Sequence, residues 1–156
     1  MGAWERITRL REAGRLIVVL GCGKNKRTGV KAAIDLYTGS SFRRRLRLAR
    51  LLTQNDDLIY ILSAKYGLLH SQDRIATYDL RYLELSSEER VRWKEQVRAQ
   101  LKERLPPGAK VIYLCGADYY QGLPGKYLLH NTGRLGWQNH LIARLTRRLR
   151  PSIWRM

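Results

Sequence analysis

Two aspartates stand almost alone among cations. Asp35, in Ile34-Asp35-Leu36-Tyr37-Thr38-Gly39-Ser40, is the only acid between residues 13 and 55, and Asp118 is the only acid after Glu103. A lone carboxylate repels a polyanion, so each needs a reason: a structural cap or ion pair, or acid/base chemistry. Asp79, in Tyr78-Asp79-Leu80, is a third candidate. The run Gly21-Cys22-Gly23-Lys24-Asn25-Lys26-Arg27-Thr28-Gly29 combines glycines with three cations, which suits a backbone approach to phosphate. It is neither a P-loop, because Asn25 follows Gly23-Lys24 and position 18 is Val18, nor a dinucleotide loop, because Lys26 stands where the third glycine belongs. A plain strand-to-helix turn with solvated lysines fits the same residues. Tyr37, Tyr66, Tyr78, Tyr119 and Tyr120 interleave the polar stretches. Paired tyrosines sandwich an unstacked base; single ones are ordinary half-buried packing residues.

Other chemistries lack their residues. Cys22 and Cys115 form no Cys-x-x-Cys, and His70, His130 and His140 are scattered, so there is no zinc pattern. No Ser-His-Asp or His-Glu-x-x-His arrangement occurs. Reduced, packed cysteines are expected, with no metal and no organic cofactor.

The elements that must position these residues alternate in type. Apolar runs at Leu16–Leu20, Leu58–Leu62 and Val111–Cys115 read as strands buried on both faces. Helical spacing predicts helices over about 3–13, 41–53 and 137–149, the last stopping before Pro151. A further helix starts at Ser86, whose spacing to Glu89 makes a capping box, and ends before Pro106-Pro107-Gly108. The expectation is one α/β domain over 1–156, three-layered, with a short, mostly parallel central sheet flanked by helices and a helical extension over 1–14. In such sheets ligands bind beyond the carboxyl ends of the strands. There the Cys22 loop, Ser63-Ala64-Lys65-Tyr66-Gly67 and Gly116-Ala117-Asp118-Tyr119-Tyr120 should converge.

The charge points to the partner. The chain of 156 residues has a net charge of +17: residues 1–50 hold 13 basic and 3 acidic side chains, residues 51–105 hold 9 of each, and residues 106–156 hold 8 and 1. A neutral middle between two basic ends predicts a basic face for nucleic acid rather than uniform solubility charging, an Arg-rich genome being the other source of such a composition. Arg43, Arg47 and Arg50 fall within about 60° on one helix face, opposite Phe42, Leu46 and Ala49. His140, Arg144, Arg147 and Arg148 share one side of the last helix, as a binding face or a solvated one. The 44% hydrophobic content excludes a disordered basic tail. No apolar run reaches 18 residues, the start lacks a signal-peptide core, and Arg6 stands where a myristoylation signal needs Ser or Thr, so a cytoplasmic monomer with no membrane contact is expected.

Together the loops resemble a family of small bacterial and phage domains related to the peroxide-stress protein YaaA. The resemblance covers residues 16–149, and Ser63-Ala64-Lys65-Tyr66-Gly67-Leu68 is its most specific part. The wider group is similar to the uracil-DNA glycosylase fold and to a domain of archaeosine synthase, whose Cys-x3-Lys pattern recurs as Cys22 to Lys26. The resemblance implies a domain that handles a base at the strand-end cleft. It assigns Asn25, with Asp35 nearby, to water and the Asp118 loop to the leaving base. In a glycosylase Lys24, Lys26 or Lys65 would hold phosphate or the departing base, and a bifunctional variant would use one lysine as a Schiff-base nucleophile. Cys22, Tyr37, Ser63, Tyr66, Asp79 and Tyr119 become base-binding candidates. The backbone-gripping set is Lys24, Arg27, Ser40, Arg43, Arg44, Arg47, Lys65, Arg134, Arg144 and Arg148. The motifs Gly-Gln-Asp-Pro-Tyr and His-Pro-Ser of the classical glycosylases are absent. The expected activity is a DNA glycosylase that excises a modified or damaged base, with modified phage DNA as one setting. The alternatives are a non-catalytic DNA-binding stress protein and an RNA-base modification enzyme; DNA is preferred to RNA as the partner.

Overall fold

The computed structural model describes residues 3–125; the predicted helix over 137–149, with Arg134, His140, Arg144, Arg147 and Arg148, lies outside the described residues. At its centre is β1 (Leu16–Gly21), all six residues of which are buried. Strand periodicity sends Leu16, Val18 and Leu20 into one apolar cluster and Ile17 and Val19 into another. A strand that needs no polar face can read as an unbroken apolar run, as this one does. β3 (Ile59–Ser63) and β6 (Lys110–Leu114) pair with it in parallel on either side, Val18 lying opposite both Ile59 and Ile112. β4 (Gly67–His70) turns back antiparallel on β3, giving a four-stranded sheet of order β4-β3-β1-β6. A separate antiparallel ribbon joins β2 (Val30–Ala32) to β5 (Arg74–Ala76).

Helices cover both faces. α1 (Ala3–Glu12), α2 (Ala33–Leu36) and α3 (Ser40–Thr53) pack Ile7, Leu36, Phe42, Leu48 and Leu52 into the first cluster. α4 (Ser87–Arg104) and α5 (Ala117–Tyr120) pack Trp93, Val97, Leu101 and Tyr120 into the second. Each such side chain, taken from water, contributes about 1.5–3 kcal/mol. The Ser86–Glu89 capping box starts α4, the hydroxyl accepting from the Glu89 N–H at 3.1 Å and the Glu89 carboxylate from the Ser86 N–H at 2.9 Å. The α/β class and mostly parallel sheet are as expected. β3 starts one residue later than expected, at Ile59–Ser63, because Asp56–Leu58 forms a 3-10 turn capped by the Asn55 side chain, and β6 lies one residue earlier, at Lys110–Leu114. β4 and the ribbon are additions the sequence pattern did not signal.

The connections decide where a ligand can enter. From β1 the chain crosses α3 to reach β3; from β3 it passes through β4, β5 and α4 to reach β6, on the other side of β1. The neighbours β1 and β6 therefore discharge their following loops toward opposite helical layers. Their carboxyl ends are the switch point at which open α/β sheets leave a crevice.

Candidate functional site

A cavity of about 210 Å³ occupies that crevice. Cys22, Gly23 and Lys24 line it from the loop after β1, Gly116, Asp118 and Tyr119 from the loop after β6, and Leu80 to Leu83 close it. Its volume lies below the roughly 300 Å³ at which drug-sized pockets begin, and it suits one planar ring system. Aromatic rings form its firm wall. Tyr82 and Tyr119 lie 4.8 Å apart between centroids at 35°, and Trp93 backs both at 5.0 and 5.8 Å. The Tyr119 hydroxyl is 3.7 Å from the Cys22 sulfur.

This wall is set by α4. Lys94 Nζ donates to the carbonyls of Tyr119 and Gln121, each at 2.6 Å, and Trp93 Nε1 donates to the Ser63 carbonyl at 2.8 Å. Burial pulls the Lys94 ammonium down to about 8, and the nearby Arg98 charge pushes the same way. Burial also pushes the fully enclosed Cys115 thiol up to about 12, so it stays protonated and packed, as expected of it.

A second cluster lies on the β3 side. Ser63 Oγ accepts from the N–H groups of Lys65 (3.2 Å) and Tyr66 (3.1 Å) and donates to Tyr78 Oη at 2.8 Å. Tyr78 Oη is 2.6 Å from Tyr37 Oη, so its proton, not needed toward Ser63, is directed to Tyr37. Lys26 Nζ sits over both rings, 4.4 Å from the Tyr78 centroid and 5.8 Å from that of Tyr37, and Tyr66 meets Tyr78 edge-on at 5.5 Å. Burial, and then the nearby Cys22, pushes Tyr37, Tyr78 and Tyr119 well above the ordinary phenol range, so all three are neutral hydroxyls. Cys22 is the residue shared by the two clusters.

The predicted site residues therefore divide. Cys22, Lys24, Asp118 and Tyr119 line the cavity. Lys26, Tyr37, Ser63 and Tyr66 build the second cluster, and Lys65 lies over the Tyr66 ring at 5.4 Å. Asn25 and Asp35 are exposed and do not line the cavity; the Asn25 carbonyl accepts from Thr38 N–H at 3.0 Å. Asp79 is exposed beside the lining residue Leu80. Ser40 opens α3, on which Arg43, Arg44 and Arg47 are exposed, and Arg27 is exposed in the first loop. Arg50 is held by a bidentate pair to Asp56, both contacts at 3.1 Å. The middle loop joins through Ser63 as a tight turn and does not line the cavity.

Sequence reasoning passed over Tyr82, Trp93, Lys94 and Arg45. Arg45 is only 5% exposed. Its phase was the available signal, because it stands three residues from both Phe42 and Leu48 on the buried stripe of α3. Among the described residues no group of three or more His, Cys, Asp or Glu is placed to hold a metal, and no helix is long and apolar enough to cross a membrane. Residues 17–133 match a family of unknown function, DUF6884. No curated protein matches the chain.

Proposed function

We propose that this chain, which belongs to the DUF6884 family, is a DNA glycosylase acting on a modified or damaged base turned into the β1–β6 cavity. One observation carries the reading: a ring-sized cavity walled by Tyr82 and Tyr119 whose lining contains a single carboxylate, Asp118, in a molecule of net charge +17. A protein that only grips phosphate has no use for an aromatic wall or for an acid beside it. The resemblance to YaaA-related and uracil-DNA glycosylase-like domains supports the same location. Lys24, Arg43, Arg44 and Arg47 hold the backbone, and the target base flips and stacks on Tyr119. Asp118, rather than Asn25 or Asp35, orients the water and stabilises the oxocarbenium-like sugar. The bond from C1′ to the base nitrogen breaks with its electron pair leaving on the base. Water oxygen bonds to C1′, and its proton passes through the carboxylate to the base, leaving an abasic site.

The non-catalytic binder is the second reading, favoured by Asn25 and Asp35 lying outside the cavity. Incubation with DNA carrying modified bases, and with phage DNA, followed by alkali, separates the two. The expected result is strand scission at one base type, reduced at least about 100-fold in Asp118→Asn with DNA binding retained. Intact strands on every substrate, with unchanged binding by the variant, would leave the binder.

A further inference from the structure

Arg81 is a charge on the cavity lining that the chemistry above does not use. Its ion-pair partner among the described residues is Glu84, which is off the lining, at 3.0 Å. Both side chains of the pair are open to water, 60% and 45% exposed, and a pair so placed holds weakly and exchanges partners readily. The main chain that carries Arg81 is fixed by contrast. Glu84 N–H donates to the Arg81 carbonyl at 2.9 Å, Arg90 Nη2 donates to the Leu83 carbonyl at 3.0 Å, and Tyr82 is buried. Lys24 lines the same cavity from the loop after β1, and its ammonium has no hydrogen bond or ion pair among the described residues. The N–H groups of Gly23 and Lys24 likewise donate to no described group. The lining therefore offers two cations and two unfilled backbone donors against the single carboxylate of Asp118, a set of groups that takes an anion.

We propose that Lys24 and Arg81 form a phosphate clamp, so that the ligand of this cavity is a phosphorylated nucleotide unit, its base on the tyrosine wall and its phosphate between the two cations. The assignment rests on the base-handling reading above. Arg81 leaves Glu84 for the phosphate, which carries more charge and more acceptor oxygens than a carboxylate and matches the planar guanidinium fork. A volume of about 210 Å³ takes a ring but not a whole nucleotide, so the phosphate stays at the rim, where Arg81 and Lys24 are exposed. Asp118 repels a phosphate and thereby sets which end of the nucleotide enters. The same chemistry has two sources: a free nucleoside monophosphate, or the phosphate flanking a nucleotide turned out of DNA.

Calorimetric titration of the full chain with the ordinary deoxynucleosides and with their 5′- and 3′-monophosphates tests the free source. Titration with duplex DNA holding one abasic site, its flanking phosphates either native or methylphosphonate, tests the DNA source. In at least one arm the charged phosphate should add about tenfold in affinity. Arg81→Gln and Lys24→Gln should each remove most of that gain, and Glu84→Gln should enlarge it, because it releases Arg81. All three side chains are exposed, so the variants should keep the wild-type melting temperature. A phosphate gain that survives Arg81→Gln, or that fails to rise in Glu84→Gln, overturns the clamp, and so does the lack of a gain in both arms. If nucleosides bind and phosphate adds nothing, the clamp alone has failed. If inorganic phosphate binds through Arg81 and Lys24 as tightly as every monophosphate, the base contributes nothing and the base-handling reading has failed.

Discussion

Lys94 shows how one side chain can hold a site against its own electrostatic preference. Its two 2.6 Å hydrogen bonds fix the main chain on either side of Tyr120, and hence the Tyr119 wall, yet burial lowers its ammonium from 10.5 to about 8. Below pH 8 the folded and unfolded states are both protonated and the penalty for burying the charge is fully present. Between pH 8 and 10.5 the unfolded chain holds the extra proton, so rising pH relieves the penalty and stability increases. Lys94→Met removes the charge and adds a pH-independent cost for two unserved carbonyls. Thermal unfolding should therefore show wild type gaining on the variant across pH 8–10.5, and a constant gap would contradict the depressed ammonium. Legibility at this scale followed charge and not position. Asp35 and Asp118 carried the same signal of isolation, but only Asp118 lines the cavity, because scarcity of acids says nothing about which loop meets which. Arg45 was hidden in the run Arg43-Arg44-Arg45, where three identical residues mask that the helix turns one of them inward.

The β3–β4 turn and α4 depend on each other. Gly67 has φ +75°, and α4 closes on it from outside: a Cβ there would collide with Gln100 Oε1, the atom that accepts from Leu68 N–H at 2.8 Å. Gln96 and Gln100 also donate to the Tyr66 carbonyl at 3.3 and 3.4 Å. Gly67→Ala should cost about 2 kcal/mol or more, from left-handed strain plus the lost Gln100 bond, read as a lower denaturation midpoint with unchanged m-value. Because Trp93 ties the same turn to the cavity wall, the variant should also weaken ligand binding at temperatures where it is still folded. This part of the molecule was half legible. The Ser86–Glu89 box and the spacing of Trp93, Val97 and Leu101 mark the helix. Its glutamines and Lys94 carry no such mark, since nothing in a local pattern tells a solvated amide from one that clamps a loop 30 residues away. β1, β3 and β6 were visible because burial on both faces leaves an unbroken apolar run. β2 escaped because it is exposed, with Val30 51% accessible.

At the scale of the whole molecule the sheet separates charge as well as hydrophobic cores. α3 carries five arginines and no acid, whereas α4, on the opposite face, mixes six basic and four acidic side chains. Nucleic acid should therefore approach over α3, toward the strand ends that hold the cavity. Not all of that charge is available. Arg45 is buried and Arg50 is paired with Asp56, leaving Arg43, Arg44 and Arg47 exposed on this helix. If each contacts one phosphate, replacing all three with Gln should reduce the slope of log K against log salt by about 2.7, at about 0.9 per contact. Arg50→Gln should leave the slope nearly unchanged, because its charge is already neutralised by Asp56. Fluorescence anisotropy on a labelled duplex across a salt series measures both. A triple variant that keeps the wild-type slope would remove α3 from the phosphate-binding face and place the backbone contacts on another surface.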